Sequence, residues 1–234
     1  MPQESSTTVD IVLVHGLFIG SWAWEPVQKL LHDEFAVYAP ELPFQTLKGD
    51  AAVVREQVSA SVADGHSVLL MGHSYGGMVV SEAGHEATEL AFIAALAPDP
   101  GQTTAQIAEG CVSDICNEAM VPAADGESLS LAGPTAVDAW YHLCSPERTA
   151  FGMAHHRSAP TSIFNEPVED PAWLQKPSSY IVCGEDRSVA LDYQRSRGAL
   201  MKRTETVVAD HSPFFSATED LANVIASIAR SMSH

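Results

Sequence analysis

Short apolar runs recur along the chain, and the stretches between them carry helical spacing rather than tight turns. Val9 to His15 (VDIVLVH) runs into Gly16, and Phe35 to Ala39 (FAVYA) stops before Pro40 and Pro43. Ser67 to Met71 (SVLLM) meets Gly72, and Leu90 to Leu96 (LAFIAAL) closes on Pro98-Asp99-Pro100-Gly101. Ser179 to Cys183 (SYIVC) and Thr206 to Ala209 (TVVA) follow later. Runs this short and this uniformly apolar read as strands buried on both faces, the pattern of a parallel sheet. Parallel neighbours need crossovers of a dozen or more residues. Helices are expected there, over Trp22 to Leu31, Asp50 to Ala63, Tyr75 to Glu86, Ala190 to Leu200 and Thr218 to Ser231.

Within these helices the apolar positions assign faces. Val54, Val58 and Val62 recur every fourth residue and are expected to pack on the sheet. Met78, Val79, Val80 and Ala83 make the third helix too apolar for a surface position, whereas Leu221, Val224, Ile225 and Ile228 form a stripe on the last. The fold class that follows is α/β: a doubly wound, mainly parallel six-stranded sheet with helices on both faces. Residues 101–171 break the rhythm, with short helical patterns and no convincing strand. They are expected to form a cap or lid over the strand ends, leaving residues 1–100 and 172–234 as the core.

A formal charge of −18 argues against nucleic acid and anionic membrane surfaces as partners, because such binding rests on Lys and Arg neutralising phosphates. Charged residues make up only 18% of the chain and hydrophobic ones 46%, which permits a substantial core. The N-terminal Met-Pro-Gln-Glu-Ser-Ser-Thr-Thr has neither a basic region nor a long apolar stretch, so a cytoplasmic location is the expectation. Four cysteines, Cys111, Cys116, Cys144 and Cys183, do not make a disulfide framework in a chain of 234 residues. Cys111 and Cys116 are close enough to pair locally.

Gly72-His73-Ser74-Tyr75-Gly76 places a serine between two glycines, after a strand-like run and before a helix-like one. This is the G-x-S-x-G pattern of a strand-to-helix nucleophile elbow, where small residues two before and two after the serine let a strained turn pass its neighbours. A serine hydroxyl is a weak nucleophile and needs a base, which in turn needs an orienting acid. Elbow enzymes run serine, acid, histidine along the chain. His211 stands just beyond the last strand, in Asp210-His211-Ser212-Pro213. For the acid, Asp186 is chosen over its neighbour Glu185, with Asp99 at the end of the preceding strand as the rival. Backbone N–H groups of Tyr75, after the serine, and Leu17, after the first strand, are the expected oxyanion donors.

With those motifs assembled, the chain resembles the α/β-hydrolase superfamily, and within it the small bacterial hydrolases similar to the plant methylesterase and hydroxynitrile lyase group. The resemblance rests on Leu13-Val14-His15-Gly16 with Trp22 and Trp24, on Gly72 to Met78, and on Pro171-Ala172-Trp173, Glu185-Asp186-Arg187 and Asp210 to Phe214. It implies a triad of Ser74, Asp186 and His211, an oxyanion hole at Leu17 and Tyr75, and no cofactor. Two departures stand out. The first strand matches what is normally the superfamily's third, and Gly16 and Ser212 stand where the hydroxynitrile lyases carry threonine and lysine, which disfavours cyanohydrin cleavage.

The leading expectation is therefore a serine hydrolase, a carboxylesterase acting on a small or medium ester as its small-molecule substrate. The alternatives are a lyase, perhydrolase or cofactor-free oxygenase on the same scaffold, or a ligand receptor that has kept the triad. Trp22 and Trp24 read as braces, and His15 as a structural donor to its glycine loop. Trp140, Tyr141 and Phe151 divide between pocket roof and packing, and Phe214 and Phe215 are candidates to touch substrate. His155-His156 lacks companion ligands, so no metal is expected. Cys183 reads as an inert buried thiol. A homodimer is left open.

Overall fold

The computed structural model describes residues 8–232; the N-terminal residues 1–7 read above for a leader, and His234, lie outside them. Six strands form the central sheet: β1 (Val9–Val14), β2 (Ala36–Tyr38), β3 (Ser67–His73), β4 (Glu89–Ile93), β5 (Ser178–Cys183) and β6 (Arg203–Val207). Their order is β6-β5-β4-β3-β1-β2, and every neighbouring pair is parallel. Residues of β1, β3, β4 and β5 are almost all buried, because helices cover both faces. Helices α1 (Glu25–Leu31), α2 (Leu47–Ala63) and α3 (Gly76–Ala83) fill the early crossovers. Among the described residues no helix is long and apolar enough to cross a membrane.

The connection from β4 to β5 carries α4 (Thr104–Cys111), α5 (Asp114–Ala119), α6 (Gly133–Trp140) and α7 (Pro146–Ala154). Beyond β5 follow α8 (Leu191–Gly198), the short α9 (Pro213–Ser216) and α10 (Thr218–Ser231). Helices α2 and α3 pack together on one face of the sheet, and α1 packs with α10 on the other. Hydrogen-bonding side chains set several helix starts. Thr46 accepts from the Gly49 amide at α2, and Thr103 makes a capping box with Gln106 at α4.

Several details depart from the sequence reading. The last strand spans Arg203–Val207 rather than Thr206 to Ala209, and Val208 is 72% exposed. This strand pairs only with β5 at the sheet edge, so its residues up to Thr206 are at least partly open to water and need not be apolar. Strand β4 ends at Ile93, where Ala94 turns into the left-handed region at φ +44°. Val54 and Val58 are buried, but Val62 is 40% exposed. A four-residue repeat drifts about 40° per step around a helix, so the buried face continues through Ser61 instead. Residues 101–171 do contain strands. Met120–Pro122, Ser128–Leu131 and Ala159–Pro160 form a small antiparallel sheet, and Gln102–Thr103 pairs with Pro167–Val168. Such two- to four-residue pieces are too short to show a period. Cys111 and Cys116 are both free and buried.

Where β3 turns into α3, three glycines let backbones meet. A Cβ at Gly76 would lie 2.7 Å from the Val14 carbonyl oxygen and 2.9 Å from that of His15. One at Gly72 would collide with the Gly76 carbonyl, and one at Gly77 with that of Leu96. Gly110, inside α4, has nothing near its Cβ position. Gly76→Ala is therefore expected to cost about 1–3 kcal/mol by overpacking, a fall in Tm of roughly 2–12 °C for a chain of this size. Gly110→Ala should instead stabilise by about 0.5–1 kcal/mol. Thermal denaturation of the two variants checks both signs.

Candidate active site

Strand β3 delivers Ser74 to the carboxyl edge of the sheet in a left-handed conformation, φ +54°. Three backbone hydrogen bonds hold it there. The Ser74 amide donates to the Ile93 carbonyl at 3.2 Å, and the Ser74 carbonyl accepts from Gly77 and Leu96 amides, each at 3.0 Å. The hydroxyl is thereby aimed away from the sheet, at the start of α3.

His211 reaches it from the loop after β6. Its Nε2 lies 3.1 Å from Ser74 Oγ, and its Nδ1 lies 2.8 Å from Asp186 Oδ2. With Nδ1–H donated to the carboxylate, Nε2 is free to accept the serine proton. The two loops stay laddered beyond their strands, since the Gly184 amide donates to Val207 and the Glu185 amide to Ala209. The Asp186 carboxylate is 0% exposed. Its Oδ1 accepts from the Ser188 and Val189 amides and its Oδ2 from Gln194 Nε2 at 2.9 Å. Glu185 faces solvent. The rival Asp99 is gripped by Arg197 through two hydrogen bonds of 2.8 and 2.9 Å, which hold its carboxyl below the usual range. It has no hydrogen bond to His211.

Leu17 and Tyr75 both line a cavity that also contains Ser74 and His211. Among the described residues neither backbone N–H donates to a protein acceptor. His15 sits behind the Leu17 loop. The Leu42 amide donates to its Nε2 at 3.0 Å, so its Nδ1–H donates to the Gly16 carbonyl at 2.9 Å. Burial pulls this imidazole down to about 4, which keeps it neutral and its Nε2 able to accept. Trp24 is buried against His73 and Phe214, while Trp22 stacks on Phe215 beside Phe151 and His155. Neither Phe214 nor Phe215 lines the cavity. Phe214 is enclosed behind the elbow, so the substrate contact considered for this pair has no geometric support. Trp140 does line it, with its ring centroid 4.6 Å from that of His211. Tyr141 packs away from it and meets His156 Nε2 through its hydroxyl. Cys183 is fully buried, and burial raises its thiol pKa.

Three supporting residues escaped the sequence reading. Asp210, directly before the histidine, accepts from the Ser212 amide and the Ser216 hydroxyl on Oδ1, and from the Leu143 amide at 2.8 Å on Oδ2. His73 donates from Nε2 to the His211 carbonyl at 2.8 Å, and burial holds it well below the ordinary histidine range. Gln194, buried in α8, also accepts from the Cys183 amide. For Asp210 a signal existed, a carboxylate beside a candidate base. For Gln194 a polar residue in a polar helix gave none.

Comparison with known proteins agrees with this architecture. A model of the alpha/beta hydrolase family matches residues 11–224. Methylesterase 7 of Arabidopsis thaliana is 28% identical over 252 residues, covering 93% of this chain and 95% of its own. Polyneuridine aldehyde esterase of Rauvolfia serpentina is 27% identical over 257 residues, covering 94% and 95%. A crystal structure of polyneuridine aldehyde esterase superposes with a TM-score of 0.81 at 20% identity, covering 95% of this chain and 99% of that one. A pyrethroid hydrolase from Sphingobium faniae superposes at 0.80 with 21% identity, covering 96% and 98%. The parallel sheet, the glycine-flanked turn at its edge and a family match spanning nearly the whole chain agree: this protein belongs to the alpha/beta hydrolase family.

Proposed function

We propose that the chain is a serine hydrolase that cleaves carboxylic esters through an acyl-enzyme intermediate. The observation that carries this reading is the continuous relay from Asp186 through His211 to Ser74, at 2.8 and 3.1 Å, beside two backbone amides with no protein acceptor. Similarity to a methylesterase and to polyneuridine aldehyde esterase supports the ester bond as the target.

Ser74 Oγ attacks the ester carbonyl while its proton passes to His211 Nε2. The carbonyl oxygen becomes negative and is met by the Leu17 and Tyr75 amides, preorganised donors that need no rearrangement as charge develops. The imidazolium that forms is stabilised by the Asp186 carboxylate, which keeps the ring in one tautomer. Collapse of the intermediate expels the alkoxide, which takes the proton from Nε2. Water then repeats the sequence on the acyl-serine and releases the acid. No step calls for a metal or cofactor. Residues 101–171 act as a cap in this reading, since Thr104, Cys116, Met120, Trp140 and Phe164 close the cavity over Ser74.

Ser74→Ala is expected to lower turnover of p-nitrophenyl acetate by about a millionfold if the three residues act as a unit. A fluorophosphonate should label the unmodified chain at Ser74 and should not label the variant. Retention of most of the esterase activity in Ser74→Ala would remove the assignment.

The choice of acid is checked separately. Asp186→Asn should lower kcat by about 10⁴-fold, because the amide favours the wrong imidazole tautomer. Asp99→Asn, which loses only the partly exposed Arg197 pair, should leave kcat within about twofold. The opposite ranking would move the acid to Asp99.

A further inference from the structure

The cavity over Ser74 holds about 60 Å³, room for roughly four to six water-sized positions. That is about as many non-hydrogen atoms as methyl acetate has, so any longer ester must extend beyond it. Most of the wall offers no way out. Among the lining residues other than Ser74, only Ala108, Val112, Met120 and Phe164 are partly exposed, and the rest are buried. Ala108, Met120 and Phe164 also line a second space, an open groove of about 360 Å³ built wholly from residues 101–171. The two spaces share a wall, and that wall is the partly exposed part of the cavity.

Local structure explains how the wall arises. Along α4 and its end, Thr104, Ala108 and Val112 recur every fourth residue and line the cavity, whereas Ala105 and Glu109, one position on, line the groove. Ala108 borders both, and its methyl leaves the boundary thin. The turn Thr161–Asn165 packs against α4 and brings Phe164 to the same place. Met120 comes from the small antiparallel sheet, where it stands opposite Leu131 while Pro122 stands opposite Leu129. Met120 and Leu129 therefore share a face of that sheet, and Leu129 lines the groove but not the cavity.

We infer that this shared wall is the neck through which the site reaches solvent, and that an ester arm too long for the cavity passes between Ala108, Met120 and Phe164 to lie in the groove. The inference rests on the esterase reading for the position of the scissile bond. The arm is apolar and uncharged, since no Lys or Arg lines either space and Glu109 in the groove repels an anion. Methionine suits the boundary, because an unbranched thioether chain re-packs around different occupants. Chain-length selectivity is then set by side chains at the neck, without drawing the Leu143 amide off Asp210.

Binding separates this inference from catalysis. Methyl octanoate and heptyl acetate carry the same heptyl tail on opposite sides of the ester, and methyl butanoate is the short reference. Titrated calorimetrically into the Ser74→Ala chain, at least one heptyl ester should show a Kd about tenfold or more below that of methyl butanoate, through the extra methylenes buried. Which of the two does so identifies the arm. Ala108→Phe, added to that chain to fill the neck, should bring the favoured heptyl ester to within about threefold of methyl butanoate. Leu129→Asn, a change in the groove alone, should reduce the advantage by about threefold. Heptyl esters that bind no better than methyl butanoate, or an advantage that both substitutions leave intact, would overturn the inference. The expected ranking in a protein whose unmodified Ser74 proves unreactive toward fluorophosphonate would overturn the esterase reading and leave the neck standing.

Discussion

The left-handed backbone of Ser74 is the constraint around which this site is arranged. A non-glycine residue at φ +54° is uncommon and persists where its surroundings over-determine it. Here the surroundings are strands. Ile93 takes the serine amide from one side, and the Leu96 amide returns to the serine carbonyl. Gly72, Gly76 and Gly77 remove the Cβ atoms that would hold α3 away from β3, from the end of β1 and from the loop after β4. The neighbouring loops show the same left-handed turn at Phe18 and Ala94, so three consecutive strands of the sheet leave its edge through sharp bends. Those bends clear the space above the strand ends in which ligands of open α/β sheets bind.

Around that turn, polar groups are spent on geometry rather than on charge. His15 and His73 are held neutral by burial, and each bonds a main-chain carbonyl, that of Gly16 and that of His211. Asp50, pushed up to about 6 by burial, joins the Tyr75 hydroxyl to the Phe44 amide and so braces the residue that follows the serine. Asp186 has each of its oxygens occupied before His211 arrives. Buried polar groups cost stability unless fully bonded, and fully bonded they fix one arrangement.

Much of this was legible in the sequence because local patterns and global fold agree where strands are buried on both faces. The buried runs of β1, β3, β4 and β5 and Ser74 at the exit of β3 could be read directly, since glycine spacing at a forced turn is a steric requirement. His211 followed from chain order and the end of the last run. What could not be read lies where no local period exists. The edge strand β6 is polar along most of its length. The strands within 101–171 are two to four residues long. The choice between Asp186 and Asp99 depended on a contact across 98 residues, the ion pair with Arg197, which no spacing encodes.

The least legible segment is also the one most closely joined to the site. Asp210 reaches from the histidine loop to the Leu143 amide, so the carboxylate before His211 fastens residues 101–171 to the loop of the proposed base. On the opposite side the Arg157 amide donates to the Phe18 carbonyl at 2.7 Å, one residue beyond Leu17, while its guanidinium donates to the Leu42 carbonyl and packs over Phe44. Trp140 closes the middle against the His211 ring. Residues 101–171 are thus bonded both to the loop of the proposed base and to that of a proposed oxyanion donor. A displacement of residues 101–171 large enough to admit a bulky substrate would have to break bonds that also position those two groups. Entry and catalytic geometry are in this way coupled through the same few contacts, and a compact cavity follows from keeping them intact.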